Sequence, residues 1–176
     1  MDELSLYERI LGLVKPWYVE QVSFVDATKT VEVHVGIDRD DQLLCPTCGV
    51  ECPGYDSRLR SWRHLDTCQY KTVVCARVPR VSCPEHGCLT IAVPWAEERS
   101  RFTLLFENEM IDRLQSASIS AVCRQMRTSW NAADGIMQRA VVRGQAKLRK
   151  KMPVHICIDE VSPCVRIVGR CLRADS

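Results

Sequence analysis

Two short clusters of metal-ligating residues constrain the fold of this chain more than any other feature of its sequence. The first is CPTCG at residues 45–49, in which two cysteines two residues apart are followed by a glycine that lets the chain turn back. Such a segment is typical of a zinc knuckle, and a tetrahedral zinc site needs a second pair of ligands. The run CPEHGC at residues 83–88 can supply that pair. Two knuckles on either side of a strand-rich segment predict a zinc ribbon.

The predicted zinc ligands are Cys45, Cys48, Cys83 and His86, with Cys88 as the alternate to His86. His86 repeats the two-residue spacing of the first knuckle, and zinc ribbons also tolerate the longer gap to Cys88. The alternative is that these cysteines only pack in a core. A redox site is disfavoured because no βαβ pattern surrounds the pair. We expect the zinc to be structural, since it replaces a core that so short a segment cannot build.

The eleven cysteines are predicted to stay reduced. The first fifteen residues are acidic and amphipathic, without the basic start and apolar run of a signal peptide. No apolar run approaches the roughly 18 residues needed to span a bilayer. These features predict a cytoplasmic chain with no membrane partner, in which clustered cysteines indicate metal rather than disulfides.

The periodicity of apolar residues predicts an α+β chain. Residues 3–14 have helical spacing, and Pro16 is expected to end that helix. Residues 17–25 and 30–37 are rich in β-branched side chains and flank a polar turn, which predicts a β-hairpin. A further strand is predicted over residues 70–81, immediately before the second cysteine cluster.

Three amphipathic helices are predicted after the zinc ribbon. The first covers residues 102–115, the second covers residues 118–126 with Ser118 as its cap, and the third opens at Ser129. A short turn between the second and third helices is typical of a helix-turn-helix, whose third helix enters the major groove of DNA. The predicted DNA-binding residues are Arg124, Arg127, Ser129, Asn131, Gln138, Arg139 and Arg143.

The charge distribution favours a nucleic-acid partner for these helices. Residues 99–151 carry eleven basic and four acidic side chains, whereas residues 1–98 carry ten basic and fifteen acidic ones. A basic segment of this kind is the electrostatic footprint of a DNA-binding module. The alternative is a three-helix bundle with a solvated basic face and no ligand.

The chain resembles the N-terminal half of ISL3-family insertion-sequence transposases from about residue 6 to residue 162. The resemblance is carried by several segments in register: CPTCG, SRLRSWRHLDTCQYKTVVCARVPRVSCPEHG, VPWAEERSRFTLLFE, SASISAVCRQMRTSWNAADGIMQRAV and HICIDEVS. It implies a zinc ribbon and a helix-turn-helix that bind the terminal inverted repeats of the element. It also implies an RNase H-like DDE domain, in which three carboxylates hold Mg²⁺.

Within this resemblance, Asp159 takes the place of the first DDE acid. Only 17 residues follow it, and they do not resemble the strands that carry the second and third acids. The expected site is therefore incomplete, and Mg²⁺ is expected only for a full-length catalytic domain. On this interpretation the chain is a truncated transposase that is inactive alone as an enzyme. The alternative is an active transposase whose missing domain comes from another chain or from frameshifted translation.

The sequence thus predicts four parts: a helix and β-hairpin over residues 1–40, a zinc ribbon over 41–98, a helix-turn-helix over 99–151, and the start of an RNase H-like domain over 152–176. The expected function is recognition of the terminal inverted repeats of an insertion sequence. The expected partners are double-stranded DNA and a full-length transposase or a second copy of the chain. The alternative function is a zinc-dependent transcriptional regulator or protein-interaction module unrelated to transposition.

Overall fold

The structure of the chain, a computed structural model, describes residues 2–38 and 42–147. Asp159 and the predicted RNase H-like segment lie outside the described residues. None of the helices in the described ranges combines the length and apolar character that a bilayer crossing requires. In chain order the helices and strands are α1 (Glu3–Leu11), β1 (Trp17–Val25), β2 (Thr30–Ile37), β3 (Gly54–Thr67), β4 (Tyr70–Cys83), β5 (Gly87–Thr90), α2 (Leu104–Leu114), α3 (Ile119–Gln125) and α4 (Trp130–Lys147).

Helix α1 ends earlier than its apolar spacing predicts. Asp2 caps its start by accepting a hydrogen bond from the Ser5 amide at 3.0 Å. Gly12 adopts the left-handed conformation (φ 61°), and its amide donates to the carbonyls of Arg9 and Glu8. A glycine reaches this conformation without the steric cost of a side chain, so it closes the last turn. The prediction that Pro16 ends the helix was therefore wrong by one turn.

Five strands form a single sheet that joins the N-terminal hairpin to the zinc ribbon. The strand order is β1-β2-β4-β3, and β5 pairs with the far end of β4. Strands β1 and β2 are an antiparallel hairpin with the predicted limits, and β3 and β4 form a second, longer hairpin. The two hairpins meet through parallel pairing of β2 with β4. The sheet is thus continuous across the predicted boundary at residue 40.

One face of the sheet carries the main hydrophobic core. Alternate residues of β2 and β4 point into it, as expected for strands with one buried face: Val31, Val33, Val35, Val74, Ala76 and Val78. Helix α1 covers this core through Tyr7 and Leu11. Trp95, in the segment that leads to α2, packs edge-to-face on Trp17 and Trp62, with ring centroids 5.0 and 5.4 Å apart.

The three C-terminal helices form a second core that is attached to β3. Phe106, Met110, Val122, Ala133 and Ile136 are buried in it. Ahead of α2, backbone hydrogen bonds join the chain to β3: the Arg63 amide donates to the carbonyl of Arg101 at 2.8 Å, and the Thr103 amide donates to the carbonyl of Arg63 at 3.0 Å. The helices are therefore held directly on the long hairpin.

Candidate metal centre and nucleic-acid interface

Two tight turns present the predicted zinc ligands at one end of β4. In the first, a bridge between Leu44 and Glu51 closes the loop, and the Gly49 amide donates to the carbonyl of Cys45 at 2.9 Å. In the second, Cys83 ends β4 and pairs with Gly87 at the start of β5. Both glycines have a φ of 71°, which an ordinary side chain would disfavour. Glycine therefore lets each knuckle fold back on itself.

The side chains of Cys45, Cys48, Cys83 and His86 converge so that their ligand atoms all lie within 4.8 Å of one another. The Cys48 and Cys83 sulfurs are 3.7 Å apart, and the His86 Nδ1 atom lies 3.5 Å from the Cys83 sulfur and 3.9 Å from the Cys45 sulfur. Tetrahedral zinc with ordinary bond lengths requires sulfur–sulfur edges of about 3.8 Å and sulfur–nitrogen edges of about 3.6 Å. The observed set fits one zinc ion.

Cys83 is electrostatically prepared to act as a thiolate. Its contact with His86 is the main reason why the pKa of its thiol falls to about 6. Zinc binds the deprotonated sulfur, so a lowered pKa favours binding. The alternate ligand, Cys88, lies exposed on β5 and is not a member of the cluster. Of the two candidates for the fourth ligand, the structure thus brings His86 to the three thiols.

Helices α3 and α4 are separated by a short turn of the kind found in helix-turn-helix domains. Ser118 caps α3 by accepting a hydrogen bond from the Ala121 amide at 3.4 Å, as predicted. Arg127 lies in the turn with a φ of 51°, and the Ser129 hydroxyl accepts from the Ala132 amide at 3.2 Å at the start of α4. The turn leaves the first residues of α4 open to solvent.

Most of the predicted DNA-binding residues lie on exposed surface. Arg124, Ser129, Asn131 and Gln138 are exposed, and the Gln138 amide donates to Asp134 at 2.8 Å. Asn131 lies in the first turn of α4, where a recognition helix contacts base edges. These side chains are thus open to solvent, and their predicted contact with DNA stays a prediction.

Arg139 and Arg143 are half-buried and engaged in ion pairs within the protein, so their assignment as DNA contacts stays a prediction. Both donate to the carboxylate of Glu107 on α2, Arg139 at 2.6 and 3.0 Å and Arg143 at 3.1 Å. Arg143 also pairs with Glu97 at 2.7 Å. The spacing along α4 placed both arginines outward, but their guanidinium groups are used within the protein. These two of the eleven basic side chains of residues 99–151 are thus paired within the protein.

Glu107 is a structural residue of the helix-turn-helix that sequence reasoning missed. Its side chain is fully buried, and it also accepts a hydrogen bond from the Ser100 hydroxyl at 2.7 Å. A buried carboxylate is tolerated only when it is paired and hydrogen-bonded. The four-residue spacing of Arg139 and Arg143 could have indicated a buried acidic partner. Residues at this spacing lie on one helix face, where two cations can share one anion.

Arg127 connects the helix-turn-helix to the sheet. Its guanidinium group forms an ion pair with Asp66, which also pairs with Arg63, and it donates to the carbonyl of Gln69 at 3.1 Å. Asp66 and Gln69 flank the turn between β3 and β4. The Arg127 side chain, which is predicted to contact phosphate, therefore also links the helices to the sheet. Of that side chain, 39% is exposed.

Comparisons with known proteins agree with both sites. The family described as "zinc-finger of transposase IS204/IS1001/IS1096/IS1165" matches residues 41–88. The family described as "Helix-turn-helix domain of transposase family ISL3" matches residues 91–141. Two curated relatives, from two strains of Mycobacterium tuberculosis, are each named transposase for insertion sequence element IS1557. Each is 30% identical over 169 residues, which cover 92% of this chain and 38% of the relative.

The chain therefore spans well under half the length of these relatives. No solved structure matches it significantly. The two matched domains nevertheless lie in the order that the fold shows, and the first contains all four clustered ligands. With its zinc finger, its helix-turn-helix and its transposase relatives, the chain belongs to the ISL3 family of transposases.

Proposed function

We propose that this chain is the DNA-recognition portion of an insertion-sequence transposase, and that its targets are the terminal inverted repeats of the element. The observation that carries the proposal is the exposed start of α4, where Ser129 and Asn131 follow a helix-turn-helix turn. An asparagine amide can pair bidentately with adenine in the major groove. Arg124 is exposed on α3, and in this proposal it binds phosphate.

The zinc-ribbon end of the sheet has a supporting role in this proposal. Cys45, Cys48, Cys83 and His86 would hold one structural zinc, which stabilises the two knuckles where few apolar side chains are available. With all four positions supplied by protein side chains, no coordination site is left for a catalytic water. We therefore assign the metal to folding and DNA recognition to the helices.

Selection from a randomised duplex pool tests the proposal. The purified, zinc-loaded chain is incubated with the pool, and the recovered duplexes are sequenced over several rounds. The expected result is one enriched site that also occurs in inverted orientation on both sides of the reading frame encoding the chain. Enrichment of a site that is absent from those flanks would favour a transcriptional regulator. Recovery of no enriched duplex would contradict sequence-specific DNA binding.

A further inference from the structure

The β1–β2 turn, the β3–β4 turn and the turn of the helix-turn-helix lie at one end of the sheet. The parallel pairing of β2 with β4 places Thr30 opposite Lys71, so the β1–β2 turn and the β3–β4 turn are neighbours. The Lys71 amide donates to the carbonyl of Lys29 at 3.0 Å, which joins the two turns directly. The contacts of Arg127 with Asp66 and Gln69 then bring the helix-turn-helix turn to the same place.

This end of the molecule carries unbalanced positive charge. Lys29 and Lys71 are exposed, as is Arg124 on α3, and no ion pair in the described part of the chain involves any of the three. The acidic groups here are largely compensated: Asp66 pairs with two arginines, and Glu109 pairs with Arg113 at 2.7 Å. Asp26, in the β1–β2 turn, and Asp112, on α2, are exposed and take part in no ion pair among the described residues.

We propose that Lys29 and Lys71 bind phosphates of the same DNA duplex that α4 reads, so that the end of the sheet and the helix-turn-helix form one continuous DNA interface. The inference rests on the proposed function, because the duplex is located by α4. In a helix-turn-helix complex, elements that flank the recognition helix meet the sugar–phosphate backbone. The two lysines extend that contact beyond the helices onto the zinc-bearing sheet.

The alternative occupant of this basic end is an acidic protein surface. The two lysines lie beside the turn that precedes α4, and this position favours DNA. A duplex that contacts Asn131 would extend past that turn and so reach the lysines. Lysine binds phosphate as a point charge and carries no sequence information. The contacts are thus expected to raise affinity for every duplex by the same factor.

The salt dependence of DNA affinity tests the inference. The dissociation constant of the zinc-loaded full chain for a 30-base-pair duplex of random sequence is measured by fluorescence anisotropy between about 0.05 and 0.2 M salt. Each phosphate contact contributes about 0.9 to the slope of log affinity against log salt. We expect the Lys29→Ala/Lys71→Ala variant to lose about 1.8 from that slope and to bind about tenfold or more weakly at 0.1 M salt.

Two control variants make the outcome specific. Lys15→Ala removes an equally exposed lysine that precedes β1 at the opposite end of the sheet, and it should leave the slope unchanged. Lys29→Arg/Lys71→Arg keeps both charges and should retain wild-type affinity. A double alanine variant with the slope of the wild-type chain would overturn this inference alone. A wild-type chain that binds no duplex would overturn the proposed function with it.

Discussion

At the scale of single residues, Glu107 decides how the recognition helix is held. It is fully buried between Ser100, Arg139 and Arg143, and these contacts join α2, α4 and the segment before α2. Burying a charge costs free energy, which oppositely charged partners offset. Removing the charge of Glu107 would leave the two arginines without that compensation. This carboxylate therefore ties α4 to α2 and to the segment before α2.

The substitution Glu107→Gln should destabilise the fold by about 1–3 kcal/mol, because two arginines lose their shared countercharge. The lower part of that range is expected, since both arginine side chains are 30% exposed and can reach water. Urea unfolding monitored by circular dichroism measures the change. Glu109→Gln, on the same helix, breaks the more exposed pair with Arg113 and should cost less than about 1 kcal/mol. Equal losses in the two variants would refute the role of Glu107.

His64 makes the attachment of the helices to the sheet sensitive to pH. Its side chain is buried on β3, and its Nδ1 atom lies 2.9 Å from the hydroxyl of Thr103, which caps α2. Burial, together with the positive charge of Arg63, lowers the pKa of His64 to about 4 from an ordinary 6.5. The unfolded chain therefore takes up a proton at a higher pH than the folded chain does. The contribution of His64 to stability is complete above pH 6.5 and is lost as the pH falls toward 4.

The expected loss from His64 between pH 7 and pH 5 is about 2 kcal/mol of unfolding free energy. Urea unfolding at both pH values measures it, and the same pair of experiments on His64→Gln provides the control. The loss attributable to His64 is the difference between the two proteins, so that proton-linked release of zinc cancels. A His64→Gln variant with the same pH dependence as the wild-type chain would show that His64 does not titrate as described.

At the scale of elements, the zinc knuckles form a unit distinct from the main core. Cys45, Cys52, Val81 and Cys83 form a small buried cluster, separate from the core that α1 and the tryptophans build on the sheet. So few apolar side chains cannot stabilise two turns without a cross-link. Loss of zinc should therefore unfold the knuckles and leave β1, β2 and the three C-terminal helices folded.

Cys45→Ser tests this expectation. Elemental analysis should find one zinc per wild-type chain and none in the variant, and amide hydrogen exchange should become fast in the knuckles while α2 and α4 stay protected. Cys88→Ser is the matched control, because Cys88 is exposed and lies outside the cluster. Zinc retained by Cys45→Ser, or lost by Cys88→Ser, would contradict the assigned ligand set.

Local patterns predicted all elements except β3 and β5, and they predicted long-range contacts poorly. The limits of β1 and β2 follow from β-branched alternation, and the caps of α1, α2 and α3 are all residues that favour capping. The parallel pairing of β2 with β4 joins segments that are separated in sequence by the first zinc knuckle and β3, so nothing local indicates it. The same limit explains why the ion pairs of Arg139 and Arg143 were not predicted. Helical spacing defines a face, but their partner Glu107 is more than 30 residues away in sequence.

At the scale of the whole molecule, β4 separates the cluster of zinc ligands from the proposed DNA interface. It begins at the hairpin turn next to Arg127 and ends at the zinc ligand Cys83. A strand of 14 residues spans about 45 Å. The zinc knuckles therefore lie far from the first turn of α4 and cannot touch the same base pairs. Their effect on DNA recognition at that site is expected to act through the stability of the sheet.

The central claim is that the first turn of α4 reads DNA bases, and the effect of Asn131→Ala on sequence discrimination tests it most directly. Gel-shift titrations compare the affinity for the selected duplex with that for a random duplex of equal length. Asn131→Ala should reduce this ratio by about 5- to 150-fold, the equivalent of about 1–3 kcal/mol. Gln145→Ala, which changes an exposed amide near the other end of α4, should leave the ratio unchanged. An Asn131→Ala variant that discriminates as well as the wild-type chain would contradict the account.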